Sequence, residues 1–205
     1  TEFPVFRPPR YNTEIRLTPK FHQTKLFESS KIKYLGLILD NKLNWKPHIA
    51  ELRKKLSRAV GMLYKIHSLC PTSVSRSLYY SLFNSHLSYG LSVWGSAGRV
   101  DIAKIQTLQD KAIKAICKTN EPDQLAKKYY DLNILNINDQ IEYQLSSLMW
   151  DYDHNALPSS LSKYFVRNNT IHNYRTRGAF RGNLYHKKLT LQFGVIYIPR
   201  NTHSK

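Results

Sequence analysis

The clearest change of period along the chain falls between Lys31 and Ile49, in KIKYLGLILDNKLNWKPHI. Ile32, Tyr34, Gly36 and Ile38 alternate with Lys33, Leu35, Leu37 and Leu39, so the early half has period two and the later half is apolar on both faces. The pattern predicts a single strand with one end buried. Asp40-Asn41-Lys42 supplies turn chemistry, and Asn44 followed by Pro47 marks a helix start. From Pro47 the period becomes helical: Ile49, Leu52, Leu56, Val60, Leu63 and Ile66 share one apolar face. A second helix is expected from Pro71 through Val74, Leu78, Leu82 and Phe83 toward Gly90 and Gly95. A third is expected from about Val100, with Ile102, Ile105, Leu108, Ala112 and Ile116 inward.

The flanks of this bundle are weaker. Before Lys31, TEFPVF, RPPRYN and TEIRLTPK read as short strands separated by breakers, a set with too few large apolar side chains to stand alone. After KTNEPDQ two amphipathic segments follow, Leu125 to Leu132 and Asn138 through Ile141, Leu145, Leu148 and Tyr152. LPSSLSKYF predicts one more short helix capped by a serine. The fold expected is therefore α+β but predominantly α: short antiparallel strands, a three-helix bundle, extra helices and a basic tail.

Composition turns this architecture toward a polyanionic partner. The chain has 205 residues, and 31 Lys and Arg against 14 Asp and Glu give a formal net charge of +17, more than solubility requires. Between Asn41 and Val100 the cations Lys42, Lys46, Arg53, Lys54, Lys55, Arg58, Lys65, Arg76 and Arg99 face Glu51 alone, and no acid follows Asp153. Cys70 and Cys117 make neither a disulfide framework nor zinc spacing, which points to a reducing, intracellular location. No apolar run reaches the roughly 18 residues that span a bilayer, and TEFPVFRPPR lacks the apolar core of a signal peptide.

Two candidate binding elements follow. On a wheel of about 100° per residue, Arg58, Gly61 and Lys65 lie within about 40° of Lys54, opposite Leu52, Leu56, Val60 and Leu63. Arg53 and Lys55 flank this stripe. A merely solvated face would carry the same pattern, but the scarcity of acids over these sixty residues favours phosphate contact. In the tail, Tyr174, Arg175, Arg177, Phe180, Arg181, Tyr185, His186, Lys187 and Lys188 interleave aromatics with cations, which suits stacking on unpaired bases, although a disordered basic tail would read the same way. Signals for catalysis are few. Asp151 and Asp153 in WDYDHN are the one close carboxylate pair, and on a helix they point apart, a poor arrangement for a shared metal.

Seven blocks in order, TEFPVF, KYLGLILDNKLNWKPHI, LRKKLSRAVGMLYKI, LYYSLFNSHLSYGLSVWG, LQDKAIKAI, LPSSLSKYF and IHNYRTR, resemble the carboxyl-terminal part of reverse transcriptases of jockey-like non-LTR (LINE) retrotransposons, over about residues 1 to 177. The resemblance implies that 1–45 ends a palm and carries a primer grip at Tyr34, Leu35 and Gly36. It implies a three-helix thumb over 46–118, a helical layer over 119–165 and a basic, aromatic-rich tail over 166–205. Partners implied are RNA and DNA, as template RNA and RNA–DNA hybrid, with palm and fingers supplied upstream, no membrane, and a nuclear or cytoplasmic setting. The nucleic-acid contacts expected are Arg53, Lys54, Lys55, Arg58, Lys65, Arg175, Arg177, Arg181, Lys187 and Lys188. The family's Tyr-X-Asp-Asp strand has no counterpart here and is expected before Thr1. No cofactor is expected for this chain, magnesium being expected for the full-length polymerase, and the chain alone is expected to be inactive. The alternative is a stand-alone basic helical module, derived from such an element, that binds RNA or DNA by itself.

Overall fold

The computed structural model describes residues 2–6, 20–21, 24–25, 27–118, 125–171 and 174. Among these, strands β1 (Glu2–Phe3), β2 (Lys20–Phe21), β3 (Thr24–Lys25), β4 (Phe27–Glu28), β5 (Lys31–Tyr34) and β6 (Leu37–Asp40) precede a helical remainder. They form three two-stranded pairs, β2–β3 and β5–β6 antiparallel but β1–β4 parallel, with Glu2 opposite Phe27. The chain is thus predominantly α with a few short strands, and the expectation of antiparallel pairing fails at the first pair. RPPRYN and most of TEIRLTPK lie outside the described residues.

The single strand read from Lys31 onward is instead a hairpin. Tyr34 pairs with Leu37 across a two-residue loop in which Leu35 (φ 45°) and Gly36 (φ 81°) are both left-handed. Positive φ at both central residues is the signature of a type I′ turn, whose twist matches that of the flanking strands. Glycine adopts it freely and leucine does not, which is why the alternation alone reads as one continuous strand.

At the far end of β6 the buried Asp40 organises the passage into helix α1 (Lys46–Ile66). Its carboxylate accepts the Asn44 N–H at 2.9 Å and the Lys42 N–H at 3.3 Å, while its carbonyl accepts the Leu43 N–H at 3.0 Å. Asn44 in turn accepts the Lys46 N–H at 3.0 Å, satisfying one of the amides a helix start leaves open. Trp45, left-handed and buried, is the residue before the first helical turn, and Pro47 lies within that turn. On α1 the predicted face is inward as far as Leu63, joined by His48 and Ala59, and Ile66 is partly buried.

The second helix departs most from expectation. It runs as α2 (Thr72–Leu78), a π-helical segment (Tyr79–Asn84), α3 (Ser85–Ser88) and, after a break, α4 (Leu91–Trp94). Its buried side chains are Ser75, Tyr79, Phe83, Leu87, Leu91 and Trp94, whereas Val74 is exposed and Leu78 and Leu82 are only partly buried. Buried positions at every fourth residue would drift by about 40° per step on a regular α-helix, and the wider π turn absorbs part of that drift. Pro71 sits just outside the helix, and Gly90 (φ 63°) makes the break after α3.

Helix α5 (Arg99–Cys117) packs against α1 and completes the three-part core, with Ile105, Ile113 and Ile116 fully buried. α6 (Leu125–Asp131) packs on α5 and contributes Tyr129 to the same core, which Ile134 and Ile137 extend. Then come α7 (Ile137–Asp153), α8 (Ser159–Ser162) and α9 (Asn168–Ile171). The chain divides into two compact units, the first reaching Ile141 and the second beginning at Glu142. Within the second, the Tyr152 hydroxyl donates to the Phe165 carbonyl at 3.0 Å, and Arg167 pairs with Asp153. Pro158, not a serine, precedes α8, and no side chain caps that helix. No helix among the described residues is long and apolar enough to cross a membrane.

Candidate nucleic-acid interface

Arg53, Lys54, Lys55, Arg58 and Lys65 are all exposed on α1, opposite the face that enters the core. The one acid on that helix is Glu51, whose carboxylate lies 3.5 Å from Lys54 Nζ with both side chains well exposed. Such a pair contributes little to stability, so the stripe keeps nearly its full positive charge toward solvent. Gly61 lies on the same face with nothing within 4 Å of where a side chain would begin. The basic face extends onto the hairpin: Lys31 and Lys33 of β5 and Lys54 line one shallow groove together with Ile32, Ile38 and Pro47.

The tip of the hairpin is the second part of the interface. Tyr34 and Leu35 are 61% and 71% exposed, so neither contributes much to the core. Below them the turn is seated on the break between α3 and α4. The Tyr89 hydroxyl donates to the Leu35 carbonyl at 2.6 Å, and a Cβ at Gly36 would stand 3.2 Å from the Tyr89 ring. Gly90, left-handed, has Leu37 so close that an added Cβ would lie 3.0 Å from its Cδ2. The Trp94 indole N–H donates to the Tyr89 carbonyl at 2.9 Å, tying the seat to a fully buried ring.

Where β6 meets α1, the Ile38 N–H points to His48 Nδ1 at 3.4 Å, so that nitrogen acts as the acceptor and the neutral ring carries its proton on Nε2. His48 is buried between Trp45 and Trp94, and its Nε2 has no partner among the described residues. Burial, reinforced by the nearby Lys55 charge, pushes its pKa below the ordinary imidazole value. The ring therefore stays neutral at physiological pH and adds no cation to the site.

Among the described residues no group of three His, Cys, Asp or Glu side chains is placed to hold a metal ion, and Asp153 is engaged by Arg167. These residues do not fit a magnesium site. Arg175, Arg177, Arg181, Lys187 and Lys188 lie outside the described residues. Sequence reasoning missed Tyr89, His48 and Trp94. Its one available cue to Tyr89 was the neighbouring Gly90, which it took only for the end of a helix.

Over 124 residues the chain is 28% identical to the probable RNA-directed DNA polymerase from transposon BS of Drosophila melanogaster, covering 59% of this chain and 14% of that protein. It is 31% identical over 108 residues to the retrovirus-related Pol polyprotein from type-1 retrotransposable element R1 of Bradysia coprophila, covering 49% and 11%. To the RNA-directed DNA polymerase from mobile element jockey of D. melanogaster it is 33% identical over 88 residues, covering 41% and 10%. This chain is related to the RNA-directed DNA polymerases of non-LTR retrotransposons. It spans only about a tenth to a seventh of the length of these retrotransposon polymerases. No family profile matches it, and no solved structure does.

Proposed function

We propose that this chain grips nucleic acid for a non-LTR retrotransposon RNA-directed DNA polymerase, holding a primer end at the Tyr34–Leu35–Gly36 turn and the template–product duplex along α1. In this reading 1–45 is the palm's edge, 46–118 the thumb, 119–165 an appended helical layer and 166–205 a basic tail. The observation that carries it is the uncompensated stripe of Lys54, Arg58 and Lys65 opposite the core-facing side of α1. Spaced one to two turns apart, these cations meet successive phosphates of a duplex and read its shape more than its sequence. The kinship with retrotransposon polymerases supports an RNA–DNA hybrid as that duplex.

Phosphoryl transfer in polymerases is a two-metal reaction in which carboxylate-held ions stabilise the attacking and leaving oxygens. The described residues do not supply such a carboxylate set, so the role assigned to this chain is positioning, not bond making. The test is titration of the chain with RNA–DNA hybrid across salt concentrations, alongside a primer-extension assay. Log K falling linearly with log salt, with no extension by residues 1–205 alone, is the expected result. Salt-independent binding, or extension by this chain alone, overturns it.

A further inference from the structure

Leu35 is the anomaly of the hairpin. The first central position of a turn with two positive φ values favours Asn, Asp or Gly, and a branched aliphatic side chain there is strained. Packing does not explain the choice, because Leu35 is 71% exposed. Nor is the hairpin long enough to enforce the turn alone, since β5 and β6 have four residues each. What holds the strained residue is outside the hairpin: the Tyr89 hydroxyl on the Leu35 carbonyl at 2.6 Å, and the Tyr89 ring beneath Gly36.

Tyr89 is itself fixed from behind. Trp94, fully buried, donates to its carbonyl, and the left-handed Gly90 lets Leu37 approach the backbone next to it. A rigid line therefore runs from the core through Trp94 and Tyr89 to the carbonyl of the turn, leaving Tyr34 and Leu35 presented outward. Strain held by its surroundings at an exposed tip is the pattern expected where the tip has a task.

We propose that Tyr89 is a positioning residue that holds the 34–36 turn, through the Leu35 carbonyl, in the shape that receives the 3′ end of a primer strand. This rests on the primer-end reading given above. Tyr34 and Leu35 then offer an aromatic and an aliphatic surface to the last base and sugar. Tyr89 touches no nucleic acid; it acts only through the turn.

The experiment compares binding of the full 205-residue chain to an RNA–DNA hybrid with a recessed DNA 3′ end and to a blunt hybrid with the same number of base pairs. Wild type is expected to prefer the recessed end. Tyr89→Phe keeps the ring but loses the donor, and is expected to cut that preference about fivefold, the worth of one hydrogen bond. Blunt-hybrid affinity, its salt slope and the melting midpoint should stay near wild type, which a general loss of structure would not allow. A wild-type preference that survives Tyr89→Phe overturns the role of Tyr89 and leaves the primer-end reading standing. Equal binding of both duplexes by wild type overturns both.

Discussion

Gln109 on α5 donates its side-chain amide to the Tyr79 hydroxyl at 2.9 Å, in a part of the core where both residues are fully buried. The same amide donates to the Leu135 carbonyl at 2.9 Å, so one side chain ties the π-helical segment to the loop that leads into α7. Burial pushes the Tyr79 phenol far above its ordinary pKa, keeping it a neutral partner. Gln109→Leu, close in volume, is expected to destabilise the chain by about 1–3 kcal/mol by stranding two buried polar groups. Tyr79→Phe in the same molecule should recover part of that loss, because one stranded group is then gone. Urea denaturation of the three variants and wild type measures both effects.

Replacing Lys54, Arg58 and Lys65 together by Gln removes charge from an exposed face and nothing from the core. The slope of log K against log salt for hybrid binding should become shallower by about 0.7–0.9 for each phosphate that is no longer neutralised. The melting midpoint should be unchanged within error. An unaltered slope would mean that the stripe is only solvated.

Leu35→Asn places at the strained position a residue that tolerates positive φ. The variant is expected to be more stable than wild type, by up to about 1 kcal/mol, the scale of the left-handed penalty. Preference for a recessed 3′ end should nevertheless fall, since the apolar tip is lost. Thermal melts and the paired binding assay would show these opposite signs in one protein.

Acid should loosen the junction of β6 and α1. The pKa of His48 is held down in the folded chain by burial first and by Lys55 second, so below the ordinary imidazole pKa of about 6.5 the unfolded state takes up a proton that the folded state resists. Stability from this residue is complete above that pH and declines as pH falls toward the depressed folded value. His48→Leu should flatten this part of the stability–pH profile, as read by urea midpoints between pH 7 and 5.

What the sequence made legible were features set by period and charge. The inward face of α1 follows from Ile49, Leu52, Leu56, Val60 and Leu63, and the exposure of Lys54, Arg58 and Lys65 follows from the same wheel. The second helix misled because its apolar residues allow two registers. Val74, Leu78 and Leu82 lie one position before Ser75, Tyr79 and Phe83, and the exposed serines Ser73, Ser77, Ser81 and Ser85 are too weakly polar to decide between them. The hairpin was hidden because one of its two turn residues is a leucine. Tyr89 could not be found from pattern at all, since its partner Leu35 lies 54 residues away.

The π-helical segment also determines how the chain tolerates changes in length. Its wide turn holds a residue beyond what a regular helix would need, upstream of Leu87, Tyr89, Gly90 and Trp94. Deleting one residue there, for instance Ser81, would let the helix close into a regular α form and rotate everything after it by about 100°. Trp94 would leave the core and Tyr89 would swing off the turn it supports. An exposed serine whose hydroxyl reaches no further than the Leu78 carbonyl one turn back thus becomes one of the least dispensable positions in the molecule, important as a spacer whatever its side chain. Ser81→Ala should be silent where the deletion is ruinous.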